Sequence, residues 1–469
     1  MTITQPAQTA PPVPAQAGGG VPAPVPAVPP ERRRSVPGRV RTLTLATVVS
    51  LGLLFGLLAL GSASARDALR VIGHDDGPQV VATAGLYFGL SDMDARVADV
   101  LLMGSEYGGR RDEALAQYER RRAEANQALL DAFELAAGDR AERLTIQSVL
   151  DGLGRYERLA GQALLLNSQS GHAAGTPPEA VLRVYRQATD LMRLELLPKA
   201  YNLTLESNTI VRRTHDAESG AIGLFIAGLL VVLVLTGVLL LLLQRFLAAA
   251  FRRRVAPALL AATVLTVVGG LAGVSTLSAE LNAITAAKRD GFDSMLAVAR
   301  GRAVANSLHA DQARYLLDPA RADTYEHAFL DKSQSLIYAD GGNVEQYHET
   351  LAKNEPIQLG LLGKERTGMG PVLDAYRRFQ EADGRMRTLA ASGQASQAVS
   401  AKLDELGTSF AAFDKMLLAR GEQSQATFTR AVAGGDGALD GLWRWGPWAL
   451  VAAALLVGAG VWPRLREYR

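Results

Sequence analysis

At 469 residues the chain exceeds one ordinary compact core, and 49 Lys+Arg against 47 Asp+Glu give no charge excess that would favour nucleic acid as a partner. Cysteine is absent, which excludes disulfides, thiolate metal sites and a cysteine nucleophile.

Residues 1–41 read as a disordered cytosolic tail, rich in Pro and Ala and ending in Arg32, Arg33, Arg34, Arg39 and Arg41. Its Pro11-Pro12-Val13-Pro14 suits polyproline II docking, although a flexible leader is the simpler reading. Four stretches then lack any charged side chain over the roughly 20 residues that a bilayer requires. These are 42–65, 219–244, 255–279 and 445–463. The last is the shortest, and Trp443, Trp445, Trp448 and Trp462 flank it where amphipathic rings prefer the headgroup layer. Ala63-Ser64-Ala65 resembles a signal-peptidase site, but the apolar run before it is too long and begins too far along the chain for a signal peptide.

Arginines gather before the first span, in the loop 245–254 and in 464–469, which places both termini and that loop in the cytosol. The long segments 66–218 and 280–444 then face outward from a multi-pass protein of the plasma membrane.

In segment 66–218, Leu86, Leu90, Met93, Val97, Val100 and Leu101 mark one helix face, and Gly104 to Gly109 end it. A second helix follows with Leu115, Tyr118, Ala125, Leu129 and Phe133 on a heptad-like, coiled-coil stripe, and a third runs over 140–168. Thr176-Pro177 predicts the start of a fourth, and Pro198 predicts a kink within it. In segment 280–444 a helix leaves the third span through Phe292, Leu296 and Ala303 and stops at Asp318-Pro319. Further helices are expected over 321–339, to 353, 371–391 and 394–432, with a glycine-rich loop at 360–370 and no strand. The expected fold is an all-α membrane protein, four transmembrane helices and two extracytoplasmic helical bundles in a tandem duplication. The short likeness of Leu90–Arg96 to Leu308–Arg314 agrees with the repeated order of span, bundle and span.

No catalytic, metal-binding or cofactor-binding constellation is found. The six histidines are scattered, His-Glu-x-x-His is absent, and Gly360 to Glu365 lacks the glycine spacing and the Ser/Thr of a phosphate loop. Uncharged spans weigh against a transporter, leaving at most an accessory subunit, and Gly52-x-x-x-Gly56 with Gly269, Gly270, Gly273, Gly458 and Gly460 reads as helix contacts. Arg122, between Tyr118 and Ala125, and Lys332, between Phe329 and Leu336, interrupt apolar seams. They snorkel to solvent or pair with Asp311 or Asp94, or they meet an acidic ligand or partner. With Asp311 and Arg314 they are the candidate outer contacts; Arg245, Arg252, Arg253 and Arg254 are the candidate cytosolic docking residues.

The segment Asp311-Gln312-Ala313-Arg314-Tyr315-Leu316-Leu317-Asp318-Pro319, with Tyr325-Glu326, Phe329-Leu330 and Asp331-Lys332-Ser333, resembles a stretch of the actinobacterial GlnX-type membrane proteins, as does Leu90-Ser91-Asp92-Met93-Asp94-Ala95. That resemblance implies four spans and two outer domains. It implies a non-enzymatic relay of amino-acid availability from the solute-binding protein GlnH to protein kinase G, a Ser/Thr kinase in the cytosol. A scaffold of the cell envelope is the competing reading. The sequence leaves dimerisation and the sensed solute open.

Overall fold

The computed structural model describes residues 36–136, 139–251, 256–353, 357–362 and 368–466. Its frame is four helical runs of 65, 71, 61 and 69 residues, Gly38–Leu102, Glu179–Ala249, Pro257–Leu317 and Ala395–Pro463, each with an apolar window long enough to cross a membrane. At 1.5 Å per residue, runs of this length extend about 100 Å, of which the hydrocarbon core of a bilayer takes about 30 Å. The chain is an all-α membrane protein in which each spanning helix continues into a helical head.

The first half comprises α1 (Val36–Arg70), a π-helical turn (Val71–Asp75), α2 (Asp76–Leu102), a 3-10 turn (Ser105–Tyr107), α3 (Gly108–Leu135), α4 (Arg140–Ser170), α5 (Glu179–Leu191), a second π turn (Met192–Leu196) and α6 (Leu197–Phe251). The second half follows the same plan with one helix more. It comprises α7 (Pro257–Ala286), a π turn (Ala287–Phe292), α8 (Asp293–Leu317), a 3-10 turn (Pro319–Arg321), α9 (Ala322–Leu336), α10 (Val344–Ala352), α11 (Gly370–Ala391), α12 (Ala395–Ala401), a π turn (Lys402–Leu406) and α13 (Gly407–Arg466).

Pro198 does not end its run. It stands at the second position of α6, and the wider π turn just before it accommodates the backbone hydrogen bond that proline cannot donate. The fourth head helix starts later than Thr176-Pro177 predicts: Pro178 is the N-cap of α5, and the Thr176 hydroxyl donates instead to the Ala173 carbonyl at 2.9 Å. One short antiparallel pair, β1 (Ile337–Tyr338) with β2 (Gln358–Leu359), occurs where no strand is expected. Ala65, the residue before the suspected cleavage point, lies fully buried within α1.

In the membrane layer, α1 and α7 each pack against both α6 and α13. Leu51, Leu54, Leu229, Leu233, Leu259 and Val457 fill the space between them. Polar ties cross the layer: Ser50 Oγ and Thr236 Oγ1 are 2.9 Å apart, and Trp443 Nε1 donates to Ser62 Oγ at 3.1 Å. The glycine expectation is only partly met. A Cβ built at Gly52, Gly56, Gly269 or Gly458 would meet nothing within 4 Å, so these glycines mark no close helix approach. At Gly270 it would strike Leu233, at Gly273 it would lie 3.0 Å from Leu58, and at Gly460 2.7 Å from Leu259.

The two long segments do not build separate cores. One buried cluster takes Leu90, Tyr156 and Tyr185 from the first and Leu308, Phe329, Tyr376 and Phe413 from the second. At its centre lie α2 and α8, packed on each other and enclosed by the rest of the head; residues 89–95 and 303–314 are buried without a break. A helix hidden on every side has no solvated face for its polar residues. Their partners must come from neighbouring helices.

Candidate buried ionic site of the head

α2 and α8 carry aspartates at matching positions, Asp94 and Asp311, the same number of residues on from the first residue of each helix. Between them lies Arg314, the largest fully buried side chain, which donates to both carboxylates and, through Nε at 3.2 Å, to the Tyr185 hydroxyl of α5. Tyr156 of α4 donates to Asp94 at 3.0 Å. Lys332 of α9 donates to Asp311, and Arg193, from the π turn before α6, stands 4.0 Å from the same carboxylate. Burial alone raises the pKa of Asp311; Lys332, Arg314 and Arg193 overcome that and hold it below the usual carboxylate value.

A second set uses Asp99, five residues beyond Asp94 on α2, and His309 and Gln312, which flank Asp311 on α8. Lys402, in the π turn before α13, donates to Asp99 of α2 at 2.7 Å and to His309 Nε2 at 3.1 Å. Burial, reinforced by Lys402, pushes the His309 pKa down to about 3. The ring is therefore neutral at physiological pH, accepting at Nε2 and donating from Nδ1 to Gln312 Oε1 at 2.9 Å. His309 also stacks on Phe410, 4.1 Å between centroids. Gln312 donates to Asp383 at 2.9 Å, Arg387 to Asp383 at 2.7 Å, and Arg387 to Glu326 at 3.2 Å. On the other flank Arg96 and Arg121 share Asp92 at 3.1 and 2.6 Å.

Several ions withdrawn from water are tolerable only because each meets opposite charge or a hydrogen-bond partner. The arrangement has a mechanical consequence. Asp94 and Asp99 belong to the run of the first spanning helix, Tyr185 and Arg193 to the second, His309, Asp311 and Arg314 to the third, and Lys402 to the fourth. The first set therefore joins the first, second and third of these runs and the second set the first, third and fourth, so that between them they touch all four helices that enter the membrane.

Of the residues singled out from sequence, Asp311, Arg314 and Lys332 come together here, in the interior, with Lys332 paired to Asp311. Arg122 stays apart, half-buried on α3 and paired with Glu119 at 2.8 Å and, more loosely, Glu157 at 4.0 Å. Arg245 is exposed near the end of α6, whereas Arg252, Arg253, Arg254 and the Pro/Ala-rich tail lie outside the described residues. Sequence reasoning missed Asp99, His309, Asp383 and Lys402. Lys402 had the signal already used for Lys332: it falls between Val399 and Leu406, at the spacing of three and four that keeps one helix face. Among the described residues no group of three or more His, Asp and Glu side chains is arranged to hold a metal ion.

Residues 68–216, from the end of α1 into α6, match the family described as Actinobacterial sensor domain. No curated protein and no solved structure matches the chain. The family match supports a sensing or signalling role, and it covers the half of the head that carries Asp94, Asp99, Tyr156 and Tyr185.

Proposed function

We propose that this protein is a non-enzymatic transmembrane relay. Its head, outside the cell, receives a solute-binding protein loaded with an amino acid or related solute. Its cytosolic ends, Arg245 and the basic loop after it, dock a Ser/Thr protein kinase. The observation that carries this reading is the buried ionic core that joins the four membrane-entering runs. A partner that favours one packing of the head over another shifts the population of both, and runs that stay helical from head to membrane carry the difference to the far side of the bilayer. The partners are those implied by the resemblance to GlnX-type proteins, and the orientation is that of the flanking arginines. The matching order of π turns and 3-10 turns supports an origin of the two halves by duplication.

Photocrosslinking of the full chain in its native membrane tests the proposal, with one probe at exposed Leu144 on the head and another at Arg245. A solute-binding protein captured at Leu144, and a Ser/Thr kinase at Arg245 whose substrate phosphorylation falls when the gene is deleted, is the expected pair. Capture of envelope proteins only, with kinase output unchanged, would make the chain a scaffold.

A further inference from the structure

Below the head, α1, α7 and α13 leave a cleft between them that runs from the middle of the membrane layer to its head side. The deeper part, of about 90 Å³, reaches Leu51, Gly269 and Ala453, and the upper part reaches Ser62 and Trp443. Phe55, Leu58, Leu442 and Gly446 line both, which makes the cleft continuous. Two glycines explain why it is open. A Cβ built at Gly269 of α7 or at Gly446 of α13 would meet nothing within 4 Å, so no neighbouring side chain fills the space beside them.

Depth, shape and mouth together say what fills it. Leu51, Gly269 and Ala453 belong to uncharged stretches that span the bilayer, and Phe55, Gly269, Gly446 and Leu450 are only half-buried, so the cleft opens sideways onto hydrocarbon. Among the described residues Thr266 carries the one polar side chain of the deeper part, which leaves water almost no hydrogen-bond partner there. Left empty, the walls would forfeit their dispersion contacts. From Leu51 to Ser62 α1 rises about 16 Å, against about 15 Å for half of the hydrocarbon core, so the cleft has the length of one leaflet. At its mouth stand groups suited to the headgroup layer. Trp443 is tied to Ser62, and the exposed Arg66 lies 5.8 Å from the Trp443 ring centroid.

We infer that this cleft holds one acyl chain of a phospholipid from the head-side leaflet, with the headgroup emerging beside Trp443 and Arg66. A chain seated there touches α1, α7 and α13 at once, which sets it apart from the lipid that covers an outward helix face and slows its exchange. The narrow enclosed part admits a thin flexible chain and excludes a helix. The inference stands on the cleft and is independent of the partners proposed for the relay.

The test is native mass spectrometry of the full chain released from nanodiscs of palmitoyl-oleoyl phosphatidylglycerol. One phospholipid per chain is expected to stay bound at collision energies that strip the rest. A leucine introduced from either wall, G269L on α7 or G446L on α13, is expected to abolish that adduct, and one variant decides the matter if the other does not fold. G458L, on an exposed face of α13 away from the cleft, is expected to keep it. Dihexanoyl phosphatidylglycerol, which has the same headgroup on tails too short to reach Leu51, is expected to leave no lasting adduct. The absence of a persistent phospholipid, an adduct that survives both G269L and G446L, or equal retention of the dihexanoyl lipid overturns the inference. So does a dimer that G269L and G446L dissociate while the lipid count stays the same, which would make a second copy of the chain the occupant.

Discussion

Lys402, on the run that becomes the fourth spanning helix, donates at 2.7 Å to Asp99, on the run that leaves the first, with 1% and 7% of the two side chains exposed. Removing Lys402 leaves the buried Asp99 carboxylate with only the longer contact to Arg96, at 3.5 Å. Lys402→Met is therefore expected to cost about 2–4 kcal/mol, Arg96 offsetting part of the loss, and Asp99→Asn together with Lys402→Met to recover a large part of it. Chemical unfolding in detergent reads both, and a double variant no more stable than the single one would contradict the pairing.

Arg314 serves Asp94, Asp311 and Tyr185 at once, which one ammonium cannot do. Arg314→Lys keeps the charge and should still lose roughly 1–3 kcal/mol from a partner left unsatisfied in the interior. Arg122→Ala, half-buried on α3 and paired only with the partly exposed Glu119 and Glu157, should cost no more than about 1 kcal/mol. Equal stability of Arg314→Lys and the parent would show that the fork is dispensable.

The neutral state of His309 sets a pH dependence. Its pKa falls from the ordinary 6.5 to about 3 on folding, because of burial first and Lys402 second. Between those values the unfolded chain binds more protons, so stability falls as pH falls, by up to about 1.4 kcal/mol per unit. His215 and His348, also pushed down chiefly by burial, act in the same direction. His309→Gln should flatten the slope of unfolding free energy between about pH 6 and pH 4; an unchanged slope would mean that His309 is charged or exposed in the native state.

Two glycines give opposite expectations. A Cβ at Gly291 would lie 2.7 Å from Phe428 Cβ and 2.8 Å from its Cα, so Gly291→Ala must push the base of α8 away from α13. A loss of about 1–3 kcal/mol is expected, as in other overpacked interiors. Gly52→Ala meets nothing within 4 Å and should be silent or slightly stabilising, since alanine favours a helix. Thermal unfolding of the two variants side by side separates these outcomes.

The spans and their continuation into the head were legible because a charge-free stretch of twenty residues has few alternatives and because Phe292, Leu296 and Ala303 keep one helical period beyond the third span. The ionic core was not. Periodicity identifies a buried apolar face by contrast with a solvated polar one, and the middle stretches of α2 and α8 are buried on every side; their buried Asp94 and Asp311 look like surface residues until Arg314 and Lys332 are placed beside them. Lys402 finds Asp99 across 303 residues, a separation that no local pattern reveals. Gly52 and Gly56 misled for the converse reason: the spacing is local, and whether a neighbour approaches is not.

In the proposed relay the head's ionic core fixes how the membrane helices stand to one another. The absence of cysteine permits a direct measurement, since Arg41→Cys and Arg245→Cys, exposed near the ends of α1 and α6, would be the only labelling sites. Spin-label distances across that pair should shift when Arg314→Met is added and should stay the same with Arg122→Ala. Superimposable distributions in the Arg314→Met protein and its parent, with the head still folded, would show that the ionic core does not set the arrangement of the membrane helices.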